Sequence, residues 1–541
     1  MSTNLATACL CKISASLEAT ALCALIEQLT PTAAMAFARC SAAVGQVNLA
    51  PKAAFTLRQS SQLGAPLLSV SSFQGVSLTG VLTPHLQSRV SGRRSFSVSA
   101  SSLNRNTEYV IVGGGNAAGY AAKAFVDNDQ AAGKLAIISS EEVAPYERPT
   151  LSKGYLFPIK GDAKPPRLPG FHTTVGTGGE RQTPEWYEQK GIELLLGTTI
   201  SGLDLSKKEL TTSKGDTLSY KKLIVATGST ASRLPEKIGG ALPGVNYIRN
   251  VADADGLVKD FQNAKKVVVI GGGYIGMEVS AAALAWGLDV TLIFPEPHFM
   301  PRLFTPGIAA HYHKLYESLG ANFVTGASVE RFEAGPDGRV AKAIASNKQE
   351  YDADLIVVGV GAKPAVQLFL DAGLDEEAKG IKVNDQLQSS NPDVYAIGDT
   401  AAFPIKILGS TSRVEHVDHA RKSAAHVVKA ILDGSGEGYD YLPYFYSRVF
   451  EHPGTARKVW WQFYGENKGE VVDVGDFDPK LAAFWVDEGT LKGVFLESGA
   501  PEEFKLLPEI ARMRPKIDID ELKKADTVEK ALETVKKAMS V

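Results

Sequence analysis

Apolar residues fall along the chain in short blocks, each closed by small or polar residues. One block runs into three glycines in YVIVGGGNAAGY, residues 109–120, and a second does the same in VVVIGGGYIGMEV, residues 267–279. A short run of β-branched and aromatic residues that stops at glycine predicts a buried strand, and the small-residue segment after each turn predicts a helix start. Each unit is followed by a further strand pattern, LAIISSE at 135–141 and DVTLIF at 289–294. KKLIVATGS at 221–229 and ADLIVVGVGAKP at 353–364 repeat one another after the two units, and SSNPDVYAIGDTA at 389–401 adds a strand ending on Gly398 and Asp399. Strand blocks alternating with helical stretches predict α/β layering. Beyond residue 430 the pattern changes. YLPYFYSRVF, WWQFYG and AAFWVDEGTLKGVFLESG read as strands, and TVEKALETVKKAMS reads as a packed amphipathic helix.

The first hundred residues carry none of this patterning. They are rich in Ser, Ala, Thr and Leu, and no Asp or Glu occurs from Met35 to Thr107, where Arg39, Lys52, Arg58, Arg89, Arg93, Arg94 and Arg105 stand. A basic, hydroxylated, acid-poor leader predicts an organelle transit peptide, disordered, over residues 1–105, with SGRRSFSVSASS at 91–102 as its processing region. Met35 is an alternative start. All four cysteines, Cys9, Cys11, Cys23 and Cys40, lie in this leader, so the mature chain is expected to use no disulfide, thiol ligand or cysteine pair. The 541 residues carry a net charge of -3, which gives no global attraction to nucleic acid or an anionic membrane. No apolar run is long enough to span a bilayer.

The two glycine turns carry the chemistry. Strand, Gly-x-Gly-x-x-Gly or Ala, then helix is the dinucleotide-binding fingerprint. It is met by Gly113, Gly115 and Ala118 and again by Gly271, Gly273 and Gly276. The first glycine permits the turn, the second lets backbone approach a pyrophosphate, and the third position lets helix pack on strand. Glu141 closes the strand after the first fingerprint, where a carboxylate accepts from ribose hydroxyls. Glu296 stands twenty residues past Gly276 and favours NAD over NADP; Arg302 nearby is either a surface charge or a residue tolerant of a phosphate. Two such folds predict two cofactors exchanging a hydride. Asp399, followed by a helix start, is placed to bond the ribityl chain of FAD, or is a plain helix cap. The expected fold is therefore α/β, with two Rossmann-like domains, the NAD domain inserted in the FAD domain, plus a C-terminal α+β domain. The expected bounds are 106–231 with 368–430 for FAD, 232–367 for NAD, and 431–541 for the part covering the flavin.

These paired fingerprints, with the ATG strand and YAIGD, resemble the two-dinucleotide-domain flavoprotein reductases. APYERPTLSKGYL at 144–156, RVEHVDHARKSA at 413–424 and YLPYFYSRVF at 441–450 resemble the plant monodehydroascorbate reductases, over residues 106–541. The leader and HPGTARKVWWQFYG at 452–465 resemble the organellar members, placing the chain in chloroplast or mitochondrion. The resemblance implies NADH-dependent reduction of the monodehydroascorbate radical through FAD. It places Gly113, Gly114, Gly115, Asn116 and Ala117 around the FAD pyrophosphate, Asn116 standing at a variable position, which matters little if backbone makes the contact. Glu141, Arg148, Lys153, Ile200, Arg249 and Asn250 would also hold FAD, Asn250 standing where the family has an acidic residue. Gly271, Gly272, Gly273, Tyr274, Ile275, Gly276, Met277 and Glu278 would bind NAD with Glu296, Arg302, Gly361, Glu415 and His416. Asp399, Val417 and Tyr446 would complete the flavin site, and Arg421 and Arg448 would bind the radical.

Several of these roles have independent support in the residues. Lys153, projecting from a helix start, can pair with Glu278 and position the flavin edge. Tyr446 and Arg448 alternate with Phe445 and Ser447, so on a strand they share one face. Two arginines suit a planar oxygen-rich anion. His416 and His419 lack the partners of a metal site. A disulfide reductase is excluded by the missing cysteines. A ferredoxin-type reductase with a protein acceptor, and a nucleic-acid-binding flavoprotein of the apoptosis-inducing kind, remain as alternatives. The expected partner is a small molecule, with no nucleic acid, no membrane span and a monomeric chain.

Overall fold

The computed structural model describes residues 104–158, 172–173, 179–434, 436–451, 458–478 and 480–540. The leader through residue 103, including the processing region, and residues 452–457 of the organellar-type stretch lie outside the described residues. The first strand, Asn104–Val112, begins at residue 104, so Asn104 and Arg105 belong to the folded sheet, pairing with Thr217 and Leu218.

The first sheet is built around that strand. Its order is Glu193–Leu195, Leu135–Ile138, Asn104–Val112, Thr217–Val225, Glu209–Thr212, Ile200–Asp204. The first four strands are mutually parallel. Val394–Ala396 returns late in the chain to pair in parallel with the end of Thr217–Val225. Val110, Ile111, Ile137, Leu223 and Ile224 are fully buried, which explains why their blocks read as unbroken apolar runs. The second sheet repeats the scheme with five parallel strands, ordered Ala321–Thr325, Asp289–Phe294, Lys266–Ile270, Leu355–Val358, Val245–Asn246. Ser229–Ala231 and Ala362–Pro364 pair antiparallel where the chain leaves the first fold and comes back.

The C-terminal part is a five-stranded antiparallel sheet, ordered Tyr444–Val449, Val459–Gly465, Thr490–Glu497, Leu481–Asp487, Glu470–Val474. One face packs on helices Pro501–Met513 and Val528–Met539 through Phe484, Leu496, Leu507 and Val535. The other face, with Trp461, Phe463, Trp485 and Phe495, shares a core with Phe304, Tyr312 and Phe294 of the second dinucleotide fold. Only its first strand reaches the cleft described below, through Phe445 and Tyr446. The expected boundary after residue 430 falls inside the helix Val417–Asp433, which closes at Gly434 with φ 74°.

Candidate functional site

Both fingerprints are turns that only glycine can make. Gly113 has φ +130°, and a Cβ there would meet the Ala226 carbonyl oxygen at 2.1 Å. Gly271 has φ +116°, and its Cβ would meet the Gly359 oxygen at 2.4 Å. The helices that follow, Asn116–Asp127 and Tyr274–Ala285, start at Gly115 and Gly273 with no side-chain cap and no acidic residue in the first turn. Their first N–H groups are left for another acceptor, which suits a pyrophosphate. Gly276 lies under Gly271, where a Cβ would sit 2.1 Å from the Gly271 oxygen.

The first turn opens on a cleft of about 520 Å³ where the first fold, the second fold and the first strand of the C-terminal sheet meet. Gly113 through Ala117, Glu141, Arg148, Lys153, Ile200, Arg249 and Asn250 line it from one side, and Asp399, Glu415, His416, Val417 and Tyr446 from another. Tyr274, Ile275 and Glu278 enter from the second fold. Gly271, Gly272, Gly273, Glu296, Arg302 and Gly361 do not line this cleft. Glu296 is half-buried, whereas Arg302 and Gly361 are exposed. The glycine turn, the uncapped helix start and a cleft of this size fit FAD, with NAD entering along the second turn.

At the ribose end, Arg148 Nη2 donates to Glu141 at 2.6 Å and Nη1 donates to the Tyr146 hydroxyl and the Arg249 carbonyl at 2.8 and 2.7 Å. Asp399 accepts from Ser229 Oγ at 2.5 Å and Arg249 Nη2 at 3.1 Å. Asp399 does not precede a helix: it sits in a three-residue 3-10 turn, Gly398–Thr400, that leads into the strand Ala401–Ile405. A further helix whose start faces the cleft is Val417–Asp433, capped by His416. Burial, with the Lys153 charge nearby, pushes His416 down to about 3. A neutral imidazole accepts at only one nitrogen, so its tautomer decides between the backbone N–H groups of Asp418 at 3.3 Å and Tyr446 at 3.4 Å.

Lys153 and Glu278 meet at 2.8 Å. The Glu278 carboxylate also accepts from Ser447 at 2.5 Å and from the Ser152 hydroxyl. One buried carboxylate thus ties together the first fold, the second fold and the C-terminal sheet. Lys153 itself closes the 3-10 turn Arg148–Ser152, rather than projecting from a helix start. Pro149 stands in the first turn, where its missing N–H costs no intrahelical bond, and the Lys153 N–H ends the turn by donating to the Thr150 carbonyl.

Further positions have partners that the sequence did not show. The Asn116 side chain bridges two residues: Nδ2 donates to Glu147 at 2.5 Å and Oδ1 accepts from the Arg148 N–H at 3.0 Å. Asn250 is a helix cap, its side chain accepting from Asp253 N at 2.9 Å within a capping box. Met277 is fully buried, with its carbonyl accepting from Tyr316 at 2.9 Å, so its side chain faces core and not nucleotide. Arg421 and Arg448 are not a pair of bare cations. Arg421 Nη2 meets Glu147 at 2.9 Å, and Arg448 meets Glu451 at 3.2 Å. Arg448 also lies over the Tyr446 ring at 5.7 Å, on the shared strand face. Burial opposes the Arg421 charge, but Glu147, Tyr120 and Tyr446 together hold its pKa above the usual guanidinium value. Burial raises Glu147 above the usual carboxylate range, against the lowering effect of Arg421, Tyr120 and Asn116. Arg421 Nε is buried with no hydrogen-bond partner among the described residues. Sequence reasoning missed Glu147, Ser152 and Ser447; the only signal was their place inside the quoted motifs.

Two dinucleotide folds meeting at one cleft, with an ion pair at their junction and a fingerprint turn in each fold, define an FAD- and NAD(H)-using oxidoreductase. Residues 107–424 match the pyridine nucleotide-disulphide oxidoreductase family, and residues 442–529 match the monodehydroascorbate reductase 3-like C-terminal domain. The chain is 56% identical over 442 residues to a chloroplastic/mitochondrial monodehydroascorbate reductase of Arabidopsis thaliana, covering 82% of this chain and 89% of that one. It is 48% identical over 430 residues to a monodehydroascorbate reductase of Pisum sativum, covering 77% and 96%. Among solved structures, it superposes on putidaredoxin reductase in its complex with putidaredoxin with a TM-score of 0.71 at 27% identity, covering 81% of this chain and 100% of that one. The chain belongs to the monodehydroascorbate reductase family. No helix among the described residues is long and apolar enough to cross a membrane.

Proposed function

We propose that this chain reduces the monodehydroascorbate radical to ascorbate at the expense of NADH, using bound FAD. The observation that carries the reading is Tyr446, which lines the cofactor cleft, lies under Arg448 at 5.7 Å and acts electrostatically on Arg421, in a chain of this family. Bound FAD takes two electrons as hydride and can release them singly. The residues supply binding and orientation. The turn Gly113–Ala117 and the start of helix Asn116–Asp127 bind the FAD pyrophosphate, with Glu141 and Arg148 at the ribose. Arg249 orients Asp399 toward the ribityl hydroxyls. The turn Gly271–Gly276 binds NADH, and Glu296 accepts from its adenosine ribose. Lys153, fixed by Glu278, would help hold the flavin in the cleft. Arg421 and Arg448 attract the radical, an anion at neutral pH, and Tyr446 gives it a surface to stack on. Each radical anion that gains an electron also takes up a proton to become the ascorbate monoanion, which the half-exposed pocket can receive from water. No nucleophile is required.

The acid-poor leader and the chloroplastic/mitochondrial relatives support delivery to one or both of these organelles. The direct test is anaerobic reduction of the protein by NADH, followed by enzymatically generated radical. The expected result is reoxidation of the flavin with two radicals consumed per NADH. Reoxidation by an iron–sulfur carrier protein but not by the radical would overturn the proposal.

A further inference from the structure

Glu147 pairs with Arg421, one of the two arginines read above as the acceptor site, and has no assigned part in the reaction. It is 3% exposed, and three donors converge on its carboxylate: Asn116 Nδ2 at 2.5 Å, Tyr120 OH at 2.9 Å and Arg421 Nη2 at 2.9 Å. Asn116 and Tyr120 lie one turn apart on the first dinucleotide helix, and Arg421 comes from helix Val417–Asp433, which packs on it. The Tyr120 ring also lies under the guanidinium at 5.4 Å. Arg421 is therefore held in place before any acceptor arrives. Three converging donors counter the effect of burial on Glu147, and its carboxylate, at hydrogen-bond distance from Arg421, opposes the Arg421 field at short range.

The second arginine differs. The Arg448 and Glu451 side chains are 50% and 32% exposed, so water and salt screen that pair. The pocket presents roughly the field of one arginine, not of two.

We propose that Glu147 sets the acceptor selectivity of this site: it fixes Arg421 and cancels enough of its charge that the pocket takes small singly charged acceptors and disfavours dianions. The proposal rests on the reading of Arg421 and Arg448 as the acceptor site. A second negative charge on a ligand gains little there, because it faces a carboxylate a guanidinium's width away in surroundings less polarisable than water. A monoanion with neutral hydroxyls loses much less.

The test is calorimetric titration of the FAD-loaded protein with sulfate and with nitrate, which needs no turnover. The unaltered protein is expected to bind nitrate in preference to sulfate at equal ionic strength; the reverse order overturns the proposal. Glu147→Gln is expected to tighten sulfate binding about tenfold and nitrate binding only about threefold, from the loss of one nearby charge at reduced dielectric. Glu147→Asp keeps the charge and should keep the original order, and Glu451→Gln should shift either anion less than about twofold because its pair is screened. Weaker or unchanged sulfate binding in E147Q, or the same gain in E147D as in E147Q, overturns the proposal and leaves Glu147 as a strut. If the predicted anion order holds while the radical is not reduced, the functional reading fails alone. If the radical is reduced but sulfate competes with it as well as nitrate does, the selectivity proposal fails alone.

Discussion

Replacing Glu278 with Gln removes one charge, keeps the side-chain shape, and tests whether the junction carboxylate works as a coupled unit. Glu278 is 3% exposed and holds Lys153 at 2.8 Å and Ser447 at 2.5 Å, together with Ser152. Gln offers one accepting oxygen and one donating amide, so a serine hydroxyl must turn away. Lys153, whose side chain is 16% exposed, loses its counter-ion. Removing one member of a buried pair costs about 3–5 kcal/mol. Lys153 keeps some water and a contact to the Pro149 carbonyl at 3.3 Å, which points to the lower end. The expected loss for E278Q is about 3 kcal/mol. Lys153→Met leaves the carboxylate unpaired and should cost a similar amount. The double substitution removes both charges, so it should be roughly 2–3 kcal/mol more stable than the sum of the single losses predicts. Denaturant unfolding followed by flavin fluorescence measures stability, and anaerobic bleaching of the flavin by NADH measures hydride transfer. If half of the single-variant loss is expressed there, bleaching slows about tenfold. Losses that add to within about 0.5 kcal/mol would show that the two side chains are neighbours without coupling, and the reasoning would fall.

Arg421→Ala should destabilise the fold far more than Arg448→Ala, because it strands buried Glu147 whereas Arg448 is half exposed; R448A should raise the KM for the radical on the order of tenfold with little change in melting temperature, and equal melting losses would contradict this. Glu296→Gln should narrow the preference for NADH over NADPH, and an unchanged ratio of kcat/KM values would show that Glu296 does not read the ribose. His416 is held down to about 3 against an ordinary 6.5, so the unfolded chain binds its proton first and stability falls as pH drops from about 6.5 towards 3. That is about 2 kcal/mol lost by pH 5 from this group, and His416→Asn should remove it from the pH dependence of unfolding. The protein isolated from the organelle should begin between residues 95 and 105, and mass spectrometry finding Met1 intact there would sink the transit-peptide reading.

What the sequence determined by itself was local. A fingerprint turn is legible because its requirements fall within a few residues: an apolar strand, a glycine at positive φ, and a small residue where helix meets strand. Gly113 and Gly271 could be assigned without knowing what lay across from them, since no other residue makes the turn. The alternation around Tyr446 and Arg448 was legible for the same reason, because a strand's two faces follow from period two. Long-range partners were not legible. Ser447 and Glu278 are 169 positions apart, and Arg421 and Glu147 are 274 apart. Nothing in either segment states that Arg421 and Arg448 would each find a carboxylate. The strand after Asp399 was misread as a helix start because Ala401–Ile405 takes its conformation from pairing with Gly380–Lys382 and Ser410–Arg413. Met277 sits in the motif beside residues that line the cleft, yet the turn of its helix aims it into the core. Only the tertiary structure decides such matters, because a buried charge takes whichever partner the packing brings within reach, and packing is a property of the whole chain.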